Sequence, residues 1–363
     1  METTGGRYRA SLDDLQGKLL TFLGAFESIQ ENLKFGDVKE SQARLMEAAG
    51  DTFRRFERTF ISIDPPDDLR ELHEKVCAAV NELDRACTFF LSPPDQQWSL
   101  AFLYSRRAFC RGLYALYDLR GELPLLENHF LLPGARAPIH DDKASSDGTA
   151  TGFIQCEQTN GHGQYTLYVP EDYSPSRHWP LIVCLHGGYG EGFEYIWTWL
   201  KPARSRGYIL LAPKSLGPTW EMTMQSADTN SVVAMLAEVG RQYSIDPARV
   251  YLTGLSDGGI FTYILGIERH DLFAGLAPVA GALHMAVDPM LREGRGRDVP
   301  LFVIHGVHDF IFPVAFTRQT CELLKGLGYN VRYEELPEWG HAFPYSINQR
   351  LVLPWFESLS GRS

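Results

Sequence analysis

The sequence predicts two domains of different fold class: an all-α N-terminal helical bundle, then an α/β domain whose mostly parallel sheet carries helices on both faces. Apolar residues recur at helical spacing through about the first 130 residues. After residue 150, short runs rich in Val, Ile, Leu and Tyr alternate with helical segments. A chain of 363 residues also exceeds the usual size of one hydrophobic core. We therefore expect a bundle over 1–132, a linker over 133–150 and an α/β domain over 151–363.

Four amphipathic helices are predicted in the N-terminal domain. The first carries an apolar stripe from Leu12 to Leu33, with gaps that alternate between three and four residues. Breaks at 36–37, 64–67 and 92–95 separate it from three further helices. The last two breaks contain proline, which cannot continue a helix but fits at its start. Four helices with short connections favour an antiparallel bundle, although the stripe could instead form a homo-oligomer seam.

Seven strands are predicted in the C-terminal domain. The later ones are too apolar to alternate between faces, as expected of parallel strands that helices cover on both sides. The strands are Tyr165–Val169, Leu181–Leu185, Tyr208–Ala212, Val250–Gly254, Leu276–Val279, Leu301–His305 and Val331–Glu335. Residues 133–150, which precede the first of these strands, are rich in Pro, Gly, Ser and Asp, and this composition indicates a linker.

Charge and hydropathy exclude several classes of protein. Lys and Arg number 34 against 45 Asp and Glu, a net charge of −11, so the basic face that nucleic-acid binding needs is not expected. No apolar stretch approaches the roughly 20 residues that span a bilayer. The N-terminus shows no secretory-signal pattern, so a cytoplasmic location is expected. Six cysteines are too few for a disulfide scaffold. We expect neither a metal nor another cofactor.

A nucleophile motif lies between a predicted strand and a predicted helix. Gly254-Leu255-Ser256-Asp257-Gly258 has the form G-x-S-x-G. A serine on such a sharp turn has a strained backbone, and a side chain at Gly254 or Gly258 would collide with its neighbours. The motif therefore predicts Ser256 as a nucleophile, with a purely structural Gly-rich turn as the alternative.

An acid and a base follow the ends of two later strands. Asp309 comes after strand 301–305, and His341 lies in the loop after strand 331–335. Because the carboxyl ends of parallel strands meet at one edge of a sheet, we expect both side chains to converge on Ser256.

Alternative uses of the neighbouring polar residues are less favoured. His305 and His308 could indicate a metal site, but they lack the helical i,i+4 spacing or a converging third ligand. Glu334, Glu335 and Glu338 are acids of the right type, but they lie on the same strand-loop unit as the histidine and are expected to be solvated.

A glycine-rich loop follows the buried strand that ends at Leu185. In His186-Gly187-Gly188-Tyr189, the N–H of Gly188 can face a developing negative charge, together with the N–H of Asp257 at the helix start. A phosphate-binding loop is the alternative, but the spacing fits neither G-x-G-x-x-G nor a P-loop.

About residues 151–360 resemble the α/β-hydrolase superfamily. The resemblance is carried by His-Gly-Gly, Gly-Leu-Ser-x-Gly-Gly, His-Gly-x-x-Asp-x-x-x-Pro and a final Gly-His. This pattern is similar to the phospholipase/carboxylesterase group and to related polyhydroxybutyrate depolymerases and feruloyl-type esterases. It implies Ser256 as nucleophile, Asp309 as orienting acid, His341 as base, and Gly188 with Asp257 as oxyanion donors. A serine hydrolase of small-molecule carboxylic esters is therefore expected, and the first 130 residues resemble no family that we can name.

Aromatic residues in loops near these elements are candidates for substrate binding. They are Tyr189, Trp220, Phe310 and Trp339. Ordinary packing between loops is their alternative role. Two other functions also stay open: a peptidase of the prolyl-oligopeptidase type, and a non-catalytic binding or scaffold protein on a hydrolase fold.

Overall fold

The computed structural model describes residues 4–34, 38–92, 98–137, 149–157 and 162–359. The chain divides into two compact units, Met1–Ala135 and Arg136–Ser363, and this division lies inside the predicted linker. The predicted helix break at 36–37, most of the break at 92–95 and most of the linker lie outside the described residues.

The N-terminal unit is all helical, as predicted. Its helices are α1 (Thr4–Glu31), α2 (Val38–Ile61), α3 (Arg70–Leu91), α4 (Trp98–Asp118) and the short α5 (Pro124–Glu127). Single 3-10 turns cover Asp67–Leu69 and Asn128–Phe130. Helix α1 packs on α2, α2 on α3 and α3 on α4.

The predicted apolar stripe is buried in a core formed within the chain. All seven of its residues are buried, although the last lies two residues beyond the end of α1: Leu12, Leu15, Leu19, Phe22, Phe26, Ile29 and Leu33. The ring of Phe26 stacks on Phe109 of α4, with centroids 4.5 Å apart, and meets Phe90 of α3 edge to face. Residues from three helices therefore share this core, and the homo-oligomer stays a prediction.

The C-terminal unit contains an eight-stranded sheet. The strands are β1 (Gly152–Cys156), β2 (Tyr165–Val169), β3 (Trp179–Leu185), β4 (Ile209–Pro213), β5 (Ile245–Leu255), β6 (Gly275–Val279), β7 (Leu301–Gly306) and β8 (Val331–Leu336). Their order is β1-β2-β4-β3-β5-β6-β7-β8, and only the pairings of β1 with β2 and of β2 with β4 are antiparallel. All seven predicted strands are present, whereas β1, a partly exposed strand at the edge of the sheet, was not predicted.

Helices cover the sheet on both sides. They are α6 (Gly192–Tyr195), α7 (Trp197–Arg206), α8 (Ala227–Gln242), α9 (Asp257–Glu268), α10 (Asp288–Glu293), α11 (Val314–Gly326), α12 (Tyr345–Ile347) and α13 (Leu353–Leu359), with a π-helical turn at Asn348–Val352. Between β6 and β7 the chain forms only the short α10 and a 3-10 turn, so no large cap is inserted there. In the described part of the chain, no helix is long and apolar enough to cross a bilayer. The cytoplasmic location stays a prediction.

Six neighbouring strands of this sheet run parallel, so their carboxyl ends lie at one edge. Strands β4, β3, β5, β6, β7 and β8 are adjacent in that order. The glycine-rich loop, Ser256, Asp309 and His341 follow the carboxyl ends of β3, β5, β7 and β8. The topology therefore places the predicted site elements along a common edge, where open α/β sheets bind ligands.

Candidate active site

The turn between β5 and α9 holds Ser256 in a strained backbone conformation. Its φ is 59° and its ψ is −120°, a region that costs a non-glycine residue about 1–3 kcal/mol. A Cβ at Gly254 would lie 2.3 Å from the carbonyl oxygen of Gly258, and a Cβ at Gly258 would lie 2.3 Å from that of Leu185. The predicted need for glycine on both sides of the serine is confirmed. The Ser256 N–H donates to the carbonyl of Val279 at 3.0 Å, which ties the turn to β6.

Asp309 and His341 form a hydrogen-bonded pair. The Nδ1–H of His341 donates to Oδ2 of Asp309 at 2.8 Å. The other carboxylate oxygen, Oδ1, accepts the backbone N–H of Ile311 at 2.9 Å and of Phe312 at 2.8 Å. With Nδ1 protonated, Nε2 of His341 is the nitrogen that can accept a proton. Nε2 makes no hydrogen bond with any described residue.

The environment of Asp309 favours its ionised form. Burial raises the pKa of this carboxyl, which is only 6% exposed, but the hydrogen bonds that it accepts and its electrostatic interaction with His341 outweigh burial and lower the pKa below its usual value. The largest lowering contribution is the hydrogen bond from His341, and the N–H of Phe312 adds to it. Asp309 is therefore a charged acceptor that fixes the tautomer of the imidazole.

The side chain of His305 lies next to Asp309 and holds the loop that follows it. Its Nε2–H donates to the carbonyl of Phe312 at 2.7 Å and lies 3.4 Å from Oδ2 of Asp309. Its Nδ1 accepts the hydroxyl of Thr317 at 3.0 Å. Burial lowers the pKa of His305, so this side chain is neutral. Both nitrogens of His305 are thus engaged in hydrogen bonds within the protein.

Two of the three alternative acids, Glu334 and Glu335, have partners other than His341. Glu335 accepts from Arg318 and from the Tyr333 hydroxyl, and Glu334 lies 3.8 Å from Arg332. Neither contacts His341, whose hydrogen-bonded acid is Asp309. Within the ranges that the structure describes, no three His, Cys, Asp or Glu side chains are grouped to hold a metal ion.

The glycine-rich loop lies against the serine turn. A Cβ at Gly187 would be 3.4 Å from Cβ of Ser256, and a Cβ at Gly188 would be 2.5 Å from Oδ2 of Asp257. The N–H groups of Gly188 and Asp257 donate to no described residue. Asp257 is the first residue of α9, where a backbone N–H has no acceptor within the helix. The next amide along the loop, that of Tyr189, instead donates to the carbonyl of Pro218 at 2.8 Å.

A buried neutral histidine holds this loop in place. The Nδ1–H of His186 donates to the carbonyl of Gly187 at 2.7 Å, and its Nε2 accepts the N–H of Ser215 at 3.1 Å. Burial lowers the pKa of His186 to about 3, so the side chain stays neutral at physiological pH. The Nε1–H of Trp220 donates to the carbonyl of His186 at 2.8 Å. The loop after β4 thus braces the glycine-rich loop.

The four aromatic residues assigned to substrate binding divide into two pairs. Tyr189 is 69% exposed, and Phe310 is 55% exposed with its ring edge on to His341, so both can meet a ligand. Trp220 and Trp339 are only 2% and 6% exposed. The Trp220 ring stacks on Phe261 with centroids 4.9 Å apart. For both tryptophans the structure favours the packing alternative, because a loop position in the sequence does not reveal whether a ring points inward.

Sequence reasoning assigned no role to two residues that contact the site. His186 was part of a quoted motif, but the role of its ring depends on Ser215, which is 29 positions away. Thr219 donates its hydroxyl to Oδ2 of Asp257 at 2.5 Å across 38 positions, and nothing in the local pattern signals this contact.

Comparison with known protein families gives a match over most of the site. The family model described as phospholipase/carboxylesterase matches residues 221–351, a segment that contains Ser256, Asp309 and His341. Feruloyl esterase C of Emericella nidulans is 27% identical over 191 residues, which is 50% of this chain and 67% of that protein. Poly(3-hydroxyalkanoate) depolymerase C of Paucimonas lemoignei is 28% identical over 167 residues, 42% of this chain and 40% of that protein.

Matched solved structures include an acetyl xylan esterase from Aspergillus awamori. It is 16% identical, has a TM-score of 0.49, and the match covers 57% of this chain and 99% of that one.

The first three curated relatives are matched over 67%, 21% and 58% of their own lengths.

Proposed function

We propose that the C-terminal unit, which belongs to the α/β-hydrolase superfamily, is a serine esterase with a triad of Ser256, His341 and Asp309. The observation that carries the proposal is the hydrogen bond from Nδ1–H of His341 to the buried Asp309, at the same sheet edge as a strained serine turn. A buried carboxylate that fixes the histidine tautomer is the part of a triad that a structural histidine does not need.

The mechanism is acyl transfer. Nε2 of His341 takes the hydroxyl proton as Oγ of Ser256 attacks the ester carbonyl carbon, and Asp309 stabilises the imidazolium that forms. The N–H groups of Gly188 and Asp257 stabilise the oxyanion of the tetrahedral intermediate. Collapse of this intermediate expels the alcohol, which receives the proton from His341. Water, activated by the same histidine, then hydrolyses the acyl-enzyme.

The substrate class is a carboxylic ester. The similarity to feruloyl and acetylxylan esterases supports this class, as do the serine turn and the paired amides. Tyr189 and Phe310 present exposed rings at the loops that carry the site, so they form its apolar contacts with substrate.

A fluorophosphonate probe tests the proposal, because it labels only an activated serine. We expect the wild-type chain to be labelled and to hydrolyse aryl esters, and Ser256→Ala and His341→Ala to lose both activities. Ser226→Ala is the control serine variant, since Ser226 caps α8 and accepts from the N–H of Thr229 at 3.0 Å. Normal labelling of a folded Ser256→Ala or His341→Ala variant, with folding checked by circular dichroism, would refute the triad.

A further inference from the structure

The side chain of Asp257 places a carboxylate beside the proposed oxyanion hole. The same residue offers its backbone N–H to the hole, while its Oδ2 lies 2.5 Å from where a Cβ of Gly188 would be. The hydroxyl of Thr219 donates to this oxygen at 2.5 Å, so the carboxylate is held against the loop that carries the other proposed donor. The mechanism proposed above uses only the N–H of this residue and leaves its charge unexplained.

No cation neutralises this carboxylate within the described residues. Asp257 has no ion pair, and its one side-chain partner is the neutral hydroxyl of Thr219. The ammonium of Lys214, at the start of the loop between β4 and α8 that carries Thr219, has other partners. It contacts the carbonyl of Gly190 at 3.2 Å and the carboxylate of Glu191 at 3.6 Å. Asp257 is only half-buried and Gly188 is exposed, so a ligand can approach the charge from solvent.

A fixed negative charge at this position opposes the reaction of a neutral ester. The hole must stabilise the negative charge that develops on the carbonyl oxygen, and a neighbouring carboxylate raises the energy of that charge. A positively charged group on the substrate reverses this effect, because it forms a favourable pair with the carboxylate while the oxyanion develops. The cost of the unpaired charge then disappears for one class of substrate only.

We propose that Asp257 selects esters that carry a positively charged amine or quaternary ammonium group close to the scissile carbonyl. This inference rests on the proposed esterase function and adds the charge of the substrate to it. A structural role is the alternative, in which the carboxylate braces the loop through Thr219 and complements the positive N-terminal end of α9. Loss of such a role changes kcat/KM for charged and neutral esters alike, whereas loss of charge selection changes their ratio.

The test compares two esters of the same acid that differ in charge but not in shape. One is the choline ester and the other is its neutral isostere, the 3,3-dimethylbutyl ester. A matched pair of phenyl esters of glycine and of propionic acid moves the charge to the acyl side. We expect the wild-type chain to have a higher kcat/KM for the charged member of at least one pair.

Three variants separate charge from bracing. Asp257→Asn is expected to lower the ratio of kcat/KM for the charged ester to kcat/KM for the neutral ester about 10-fold. This corresponds to about 1.4 kcal/mol, the order of the interaction energy of one partly screened pair of opposite charges. Thr219→Val keeps the charge and should keep the ratio. Glu221→Gln removes an exposed carboxylate from the same loop and is the control, with the wild-type ratio expected. A ratio in Asp257→Asn that stays within twofold of wild type, or an equal loss in Thr219→Val, overturns the inference.

Labelling of the serine distinguishes failure of this inference from failure of the proposed function. The same charged and neutral alcohols are used as leaving groups of a phosphonate, and the rate of Ser256 labelling is measured. Labelling with equal preference in wild type and Asp257→Asn refutes the charge selection alone. Absence of any labelling of Ser256 refutes the esterase function and the charge selection together.

Discussion

Replacement of Asp309 by asparagine exchanges one carboxylate oxygen for an NH₂ group. The structure predicts which atom of the new amide will face His341. In the wild-type chain Oδ1 accepts two backbone N–H groups, from Ile311 and Phe312. Only an oxygen can accept these bonds, so the amide oxygen of the introduced side chain takes that place. The NH₂ group then occupies the position of Oδ2, the atom to which the Nδ1–H of His341 donates in the wild-type chain.

This exchange forces the imidazole into the wrong tautomer. An NH₂ group is a donor, so Nδ1 must lose its proton to accept from it, and the proton moves to Nε2. Nε2 can then no longer take the proton of Ser256. We expect kcat to fall about 10⁴-fold, as the same exchange does in a serine protease, which corresponds to about 5.4 kcal/mol in activation free energy.

The assay is steady-state hydrolysis of an aryl ester, with the fold checked by circular dichroism. Glu338→Gln is the matched control, because it removes another carboxylate close to His341 in sequence and should leave kcat near the wild-type value. If Asp309→Asn keeps more than a tenth of the wild-type kcat, the tautomer argument is wrong. If Glu338→Gln loses activity instead, the acid of the triad has been misassigned.

Two further predictions concern the glycine-rich loop. Gly188→Ala places a Cβ 2.5 Å from Oδ2 of Asp257, which the Thr219 hydroxyl holds, so the Asp257 carboxylate and the Gly188 amide must move apart. Because alanine keeps the backbone N–H, we expect kcat for aryl esters to fall about 10-fold, less than the about 10² to 10³-fold that loss of one oxyanion donor costs. Gly240→Ala, whose Cβ meets nothing within 4 Å, is its control, and a Gly188→Ala kcat within threefold of wild type would show that the substitution does not displace the Gly188 amide. His186, with a folded pKa of about 3, takes up a proton below pH ~6.5 only in the unfolded chain, so its contribution to stability is complete above that pH and is lost as the pH falls. Between pH 7 and pH 5 we expect the free energy of unfolding to fall by about 2 kcal/mol more in wild type than in His186→Asn. Equal decreases in the two proteins would show that His186 is protonated in the folded chain at pH 5.

The sequence by itself determined the fold class and the order in which the proposed site residues occur along the chain. The three-four spacing of Leu12 to Leu33 and the apolar runs of the parallel strands reflect the periods of helix and strand, which are local properties of the chain. The glycines on both sides of Ser256 could also be predicted, because the steric limits of a tight turn act between near neighbours in sequence. Strand β1 was missed because its pairing with β2, rather than its own pattern, makes it a strand.

The tertiary structure adds the contacts that side chains make across the ends of different strands. The resemblance implied Asp309 rather than Glu334 or Glu335 as the acid, but the hydrogen bond from His341 to Asp309 depends on the order of β7 and β8 in the sheet and on where the loops after them turn. The same holds for Trp220, which a loop position could not distinguish as a buried brace, and for Thr219, which meets Asp257 across 38 positions. These contacts arise from the packing of distant segments, and packing depends on the whole fold rather than on the residues next in the chain.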